Sequence, residues 1–419
     1  MTNKIGIYIT GLGQSIDNET VEKYAERLKN ELSFKSDGTF YHLKIEKKIY
    51  PIDKECTVVN LYRKNRKDKD NKNIDGQLIY KMYDFQYHQI LTNRFERHNI
   101  IIKNLLLFTL ILKKFPQITL RLFNGDGFSR PYQTLYAFLM LFTISLCILF
   151  LVPACIEIIL NNTNKNTDTG LIEKINSALN FFNIKPFCVT ESTKTLTVIG
   201  KTILSITTLV LLFAPKSKTI LTSLATEFSC VDSYITNGDQ SQILLGNLDQ
   251  LVEYIAENEP DPEIHFHTYS FGCILAIDAL FPIAEIPPSD NIQKLTKLLI
   301  TIGNPFEFIN AYYPVFYERR CRVMKDKLNW INVYSILDVF STNFRRDDKR
   351  GEAEFGIKDI PLTPENINYE ITSDRSGLVT FFSLNSIKMH KCYWDYSTIG
   401  QSCMKVILPG LLEKKSIPL

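Results

Sequence analysis

The stretch Glu263-Ile264-His265-Phe266-His267-Thr268-Tyr269-Ser270-Phe271-Gly272, continuing as Cys273-Ile274-Leu275-Ala276-Ile277-Asp278-Ala279-Leu280, decides the fold. Its first part alternates apolar and polar side chains with a period of two, the pattern of a strand with two unlike faces. Its second part is apolar without alternation and reads as a buried helix. The chain must therefore turn sharply at Ser270. A serine at such a junction can be held on a tight turn with its hydroxyl exposed, and the helix start behind it offers backbone N–H groups that have no intrahelical acceptor. The motif for such a turn is G-x-S-x-G. Here it reads Thr268-Tyr269-Ser270-Phe271-Gly272, with threonine in the place of the first glycine. A serine that only caps the helix leaves the same trace in a sequence.

A serine nucleophile needs a base to take its proton and an acid to orient that base. Downstream, Trp330-Ile331-Asn332-Val333-Tyr334-Ser335 is predicted to be a strand, and Asp338 falls in the loop past its carboxyl end. Open α/β sheets keep their sites at that edge. His390 is the sole histidine beyond Asp338 and precedes a predicted final helix, Thr398 to Leu411. A structural histidine is the alternative for that position. His265 and His267, alternating on the strand that enters the turn, are expected to be packed or hydrogen-bonded. His42, His88 and His98 show no ligand-like spacing, and no metal or cofactor site is predicted.

At the N-terminus, Ile5 to Ile9 is a short apolar strand, followed by Thr10-Gly11-Leu12-Gly13-Gln14-Ser15 and an amphipathic helix with Val21, Tyr24, Leu28 and Leu32 at helical spacing. A glycine-rich loop between strand and helix can present N–H groups to an oxyanion or cradle a phosphate. It lacks the Gly-Lys-Ser/Thr ending of a P-loop and the full G-x-G-x-x-G fingerprint. Thr39–Ile49 and Glu55–Tyr62 read as an added β-hairpin beside the main sheet, and Gln77–Phe85 as a further strand leading into a helix.

In this order the segments resemble the α/β-hydrolase superfamily, in particular membrane-anchored serine hydrolases of esterase or lipase type. Thr10-Gly11-Leu12-Gly13 looks like the H-G-x-G oxyanion loop with threonine replacing histidine. Trp330-x-Asn332-x-Tyr334-x-x-x-Asp338 is similar to the acid-bearing strand and loop, and His390-x-x-Tyr393-Trp394 to the histidine loop. Tyr83-Asp84-Phe85-Gln86-Tyr87 resembles the acidic-aromatic stretch of membrane-inserted members. Asp84 is given no catalytic role there and is expected in a buried hydrogen bond or turn. The resemblance covers residues 1–35, about 75–100 and 225–415. It implies a mostly parallel sheet flanked by helices and hydrolysis of acyl esters through an acyl-enzyme, without a cofactor. Ser270 would be the nucleophile, His390 the general base and Asp338 the orienting acid. The backbone N–H groups of Leu12 and Phe271 would form the oxyanion hole.

The chain has 419 residues and a net charge of +3 with acids and bases nearly balanced, which gives no signal for nucleic acid. Nine cysteines without C-x-x-C pairs indicate reduced thiols and a cytosolic-facing body. The Arg63–Lys72 run alternates in sign, as a solvated loop does. Residues 131–156 carry no charge and exceed the roughly 20 apolar residues needed to cross a bilayer. A second segment, residues 196–214, is long enough but contains Lys201; a re-entrant or interfacial segment is its alternative. The predicted organisation is a hydrolase domain in two parts, 1–125 and 221–419, interrupted by a transmembrane hairpin at 126–220 with spans of about 134–157 and 196–214. The shorter apolar run Asn104–Leu112, flanked by Lys103, Lys113 and Lys114, reads equally as an interfacial helix or a core helix. Basic flanks (Lys113, Lys114, Arg121, Arg130, Lys216, Lys218) place both termini in the cytoplasm by the positive-inside rule, on the reading of a bacterial inner membrane. The expected partners are membrane lipids and an acyl ester of unknown identity. Two other classes remain at this level: a hydrolase-like membrane module without turnover, and a channel component, for which the spans supply only Glu157, at an end, and Lys201 as charged residues.

Overall fold

The computed structural model describes residues 3–12, 19–36, 39–50, 54–65, 76–98, 100–123 and 228–369 except 348. It also describes Leu139, Phe142, Ser145, and parts of 390–417. In chain order the elements are β1 (Asn3–Ile9), α1 (Val21–Lys35), β2 (Thr39–Tyr50), β3 (Lys54–Asn65), β4 (Gln77–Asp84), α2 (His88–Glu96) and α3 (Ile100–Phe123). Then follow α4 (Asp239–Asn258), β5 (Pro262–Tyr269), α5 (Phe271–Leu280), α6 (Asp290–Leu295), β6 (Thr296–Ile302), α7 (Phe306–Tyr312), β7 (Asn329–Tyr334), β8 (Glu365–Asn368) and α8 (Met404–Glu413). The chain divides into two compact units. The larger holds Met1–Arg97, Lys113–Ala137 and Thr226–Leu419; the smaller holds His98–Leu112 and Phe138–Ala225, of which mainly the first part of α3 is described.

The larger unit is built on an eight-stranded sheet of order β2-β3-β4-β1-β5-β6-β7-β8. The expected hairpin is present: β2 pairs antiparallel with β3, and β3 with β4. From β4 through β1, β5, β6 and β7 to β8 every pairing is parallel. The fold is thus α/β with a mostly parallel sheet and flanking helices. Strand β6, Thr-Lys-Leu-Leu-Ile-Thr-Ile, is not among the predicted strands; it is a short apolar run buried in the middle of the sheet, where alternation is lost. The final helix begins later than Thr398, at Met404.

Alternation within the strands assigns the two faces of the sheet. Val21, Tyr24, Leu28 and Leu32 of α1 and Met404, Ile407, Leu408 and Leu411 of α8 share one buried cluster with Tyr8, Val59, Leu61, Tyr80 and Ile300. Thr20 caps α1 by accepting from the Lys23 N–H. The alternate β5 residues Ile264, Phe266 and Thr268 are fully buried toward α5, whose ten residues are all buried, as the unbroken apolar pattern requires.

His265 and His267 lie on the α1 side, and their environment dictates their protonation. Glu263 can only accept when ionised, so His265 Nε2–H donates to it, at 3.1 Å. His265 Nδ1 then accepts from the Tyr80 hydroxyl at 2.8 Å, the Tyr80 oxygen accepts from His267 Nε2–H at 2.8 Å, and His267 Nδ1 accepts from the Tyr24 hydroxyl at 2.9 Å. One proton arrangement satisfies the whole chain with both imidazoles neutral. Lys4 anchors its outer end on Glu263 at 2.5 Å.

The two apolar segments expected to cross a membrane lie outside the described residues, as does the run expected to be a solvated loop beyond Asn65; its first residues, Arg63 to Asn65, extend strand β3. Among the described residues no helix is long and apolar enough to cross a membrane.

Burial holds the His267 imidazole at a pKa of about 3 and lowers that of His265, against the raising effect of Glu263. Below the ordinary histidine pKa of about 6.5 the unfolded chain therefore binds protons that the folded one refuses, and stability falls with pH, by up to about 1.4 kcal/mol per pH unit per histidine. Asp84, raised to about 6 by burial, works in the opposite sense below that pH. The expected net result is a urea midpoint that drops between pH 6.5 and 4.5, with a shallower drop in His267→Gln. A midpoint independent of pH in both proteins would contradict the buried neutral pair.

Candidate active site

Strand β1 is the point where the strand order reverses: β2 to β4 lie to one side of it and β5 to β8 to the other. The crevice beyond the carboxyl ends of β1 and β5 is the usual ligand position in open α/β sheets. Ser270 stands there with φ 52° and ψ −122°, a left-handed conformation that costs a non-glycine residue about 1–3 kcal/mol. Its N–H donates to the Ile302 carbonyl at 2.9 Å, and its carbonyl accepts from the Cys273 N–H at 3.0 Å. These bonds tie the turn to the end of β6 and to the first turn of α5.

The motif's two variable ends now separate. At Thr268 the chain is still in register with Thr301 of β6, and the Thr268 hydroxyl donates to the Ile300 carbonyl at 2.7 Å. A side chain fits there, so the absent glycine leaves the turn intact. At Gly272 no side chain fits: a Cβ would lie 2.3 Å from the Ile9 carbonyl oxygen and 2.7 Å from that of Thr10. Close approach of α5 to β1 is what brings the β1 loop beside the serine. A Cβ on Gly11 would in turn sit 2.9 Å from Ser270 Cβ. The loop is secured by Tyr87, whose hydroxyl donates to the Thr10 carbonyl at 2.8 Å. Leu12 follows and is buried.

Asp338 lies in the loop after β7, as expected, and is fully buried. Its Oδ1 accepts from the Phe340 N–H at 3.0 Å, and its Oδ2 accepts from His390 at 2.8 Å and from the Tyr393 hydroxyl at 2.8 Å. Three donors replace the lost water around the carboxylate, which a buried charge requires. Because the carboxylate can only accept, His390 Nδ1 carries the proton and Nε2 presents its lone pair. Nε2 lies 2.7 Å from Ser270 Oγ, so the serine hydroxyl donates to it. The backbone carbonyl of His390 accepts from the Tyr269 hydroxyl at 2.5 Å, and the Tyr269 ring stacks on the imidazole. Phe340 meets the imidazole edge-on, with centroids 5.3 Å apart.

The three side chains singled out from the sequence thus form one hydrogen-bonded chain, and the loop bearing Leu12 and the N–H of Phe271 at the first position of α5 flank it. Sequence reading did not assign the hydroxyl of Tyr393, which both donates to Asp338 and accepts from the Ser335 N–H at 3.1 Å. Its spacing of three residues from His390 was the available signal. Asp84, given no catalytic role, ends β4 and accepts from Gln86 Nε2 at 2.9 Å.

The helix behind Phe271 is clamped by a buried ion pair. Arg320 donates to Asp278 Oδ1 and to the Phe281 carbonyl, and the Tyr234 hydroxyl donates to Asp278 Oδ2 at 2.7 Å. The Tyr234 ring also stands edge-on to Phe271.

No family model, curated protein or solved structure matched this chain.

Gly272→Ala is expected to push α5 off β1, lowering the unfolding free energy by about 1–3 kcal/mol, the usual cost of overpacking, or more because the clash is with backbone. Thr268→Gly involves no such clash and is expected to cost the lost hydroxyl bond, the buried methyl and strand propensity, about 2–3 kcal/mol. Denaturant titration measures both losses.

Proposed function

We propose that this chain is a membrane-anchored serine hydrolase of the α/β-hydrolase type that cleaves acyl esters. The observation that carries the reading is the chain Asp338–His390–Ser270, at 2.8 and 2.7 Å, ending on a serine with positive φ at the switch point of the sheet. A serine that merely caps a helix needs neither the backbone strain nor a histidine that is itself oriented by a buried carboxylate.

The geometry supports a two-step acyl transfer. Ser270 Oγ attacks the ester carbonyl carbon as its proton passes to His390 Nε2. The carbonyl oxygen becomes an oxyanion between the N–H groups of Phe271 and Leu12, each donor of this kind being worth about 3–4 kcal/mol. The intermediate collapses, the C–O bond to the leaving alcohol breaks, and the imidazolium returns the proton to that oxygen. Water, deprotonated by the same imidazole, then attacks the acyl-enzyme; the acid is released and Ser270 regains its proton. Asp338 stays ionised throughout, fixes the tautomer and stabilises the imidazolium.

Two features favour an apolar acyl group. Phe340, against His390, continues into Phe308 and Phe228 at centroid distances of 5.1 Å each. The uncharged run 131–156 would hold the enzyme where lipid esters are concentrated.

Labelling by a fluorophosphonate in membranes is the direct test. Wild type should label, Ser270→Ala should not, and His390→Ala and Asp338→Asn should label at least about 10³-fold more slowly. Labelling that survives Ser270→Ala unchanged would refute the assignment, and a folded wild type inert to the probe would favour a binding module without turnover.

A second measurement addresses Tyr393. Tyr393→Phe removes one donor from Asp338 Oδ2 and leaves the ring packing in place. A hydrogen bond to a charged group is worth about 1.5–3 kcal/mol, so the unfolding free energy measured by denaturant titration should fall by about that much. The less dispersed carboxylate charge should also stabilise the imidazolium. The acid limb of the pH–rate profile is then expected to move to higher pH, a change that mere loosening of the loop does not produce.

A further inference from the structure

We infer that α3 lies flat on a lipid bilayer with its outward apolar face in the headgroup–acyl boundary; this deepens the membrane-anchored reading above and rests on it. The helix is apolar on two sides. Leu107 and Ile111 are buried on one side of it; farther along, Lys114 is buried with its ammonium 3.7 Å from the centre of the Tyr313 ring, next to the exposed Phe115. Its outer side carries Ile102, Leu105, Leu106, Leu112 and Leu120, which are 38–62% exposed. At 100° per residue these five fall within one sector of about 120°, which the exposed Thr109, Lys113 and Pro116 share, facing away from Leu107 and Ile111. Large apolar side chains gathered on one exposed helix face mark an interaction site.

Charge identifies the occupant. From Ile100 to Phe123 there is no acidic residue, and Lys103, Lys113, Lys114 and Arg121 make the helix wholly cationic. An apolar stripe on a helix bearing only basic charges suits an anionic lipid surface. Covalent connection points the same way, since the uncharged run 131–156 begins a few residues after the helix ends. The four cations, spread along its length, keep the helix from crossing the hydrocarbon itself.

The test uses the full chain reconstituted in phosphatidylcholine–phosphatidylglycerol vesicles. Tryptophan is placed at one position at a time, as Leu105→Trp, Leu112→Trp or Phe150→Trp, and the signal of wild type, whose Trp330 and Trp394 are buried, is subtracted. Tryptophan at 105 and 112 should be quenched at least twofold more strongly by lipids brominated near the headgroup than by lipids brominated near the chain end. It should also be several-fold less accessible to iodide than free tryptophan. Tryptophan at 150, inside the uncharged run, reports the anchor itself and should respond to the deep bromines. If 150 is quenched by lipid while 105 and 112 are open to iodide, the anchor stands and the inference about α3 is overturned. If 105 and 112 are shielded from both iodide and bromolipid, protein covers the stripe and the inference is likewise overturned. If 150 is insensitive to bromolipid as well, the anchored reading has failed and this inference with it.

Discussion

The contact between Gly272 and the end of β1 governs everything at the carboxyl edge of the sheet. Because no Cβ intervenes, α5 approaches the Ile9 and Thr10 carbonyls closely enough to bring the Gly11–Leu12 loop against Ser270. The strained backbone at Ser270 is the other side of the same constraint. A positive φ persists only when its surroundings over-determine it, and here the surroundings are β6, through Ile302, and α5, clamped from behind by Asp278, Arg320 and Tyr234. The serine is thus held by the packing of the fold rather than by its own preferences.

The site adds a second constraint, the satisfaction of a buried carboxylate. Asp338 has no exposure to water and is stabilised by three donors, two of them from one short segment containing His390 and Tyr393. Orienting the imidazole and compensating the buried charge are therefore one arrangement. The same logic operates on the opposite side of β5, where Tyr24, His267, Tyr80, His265 and Glu263 leave no donor or acceptor unmatched along the chain and keep both imidazoles neutral. One strand carries a polar network on one face and leads into the reactive turn, while its other face is apolar and packs on α5.

Much of this was legible in the residues. The alternation of Glu263 to Thr268 and the spacing of Val21, Tyr24, Leu28 and Leu32 each encode a period, and a period survives without tertiary information. Asp338 and His390 were legible because their order along the chain and their position after a strand limit the choice to very few residues. Strand β6 was not, because in a parallel sheet covered on both faces the alternation that marks a strand disappears. The hydroxyl of Tyr393 was not, because its partner lies fifty-five residues away.

Periodicity by itself determined the added hairpin and the turn at Ser270, while the α/β class and the grouping of Ser270, His390 and Asp338 came from the resemblance of the ordered motifs to α/β-hydrolases. These features depend on local pattern and on the chemistry that a serine, a histidine and an aspartate can share. Only the tertiary structure decided that Thr268 can replace the first glycine of the motif while Gly272 cannot be replaced. The reason is steric: position 268 still lies in the sheet, whereas position 272 faces the backbone of another strand. Only the tertiary structure, likewise, turned one face of α3 outward, where the sequence left an interfacial and a core helix equally open. An apolar residue carries no record of what covers it.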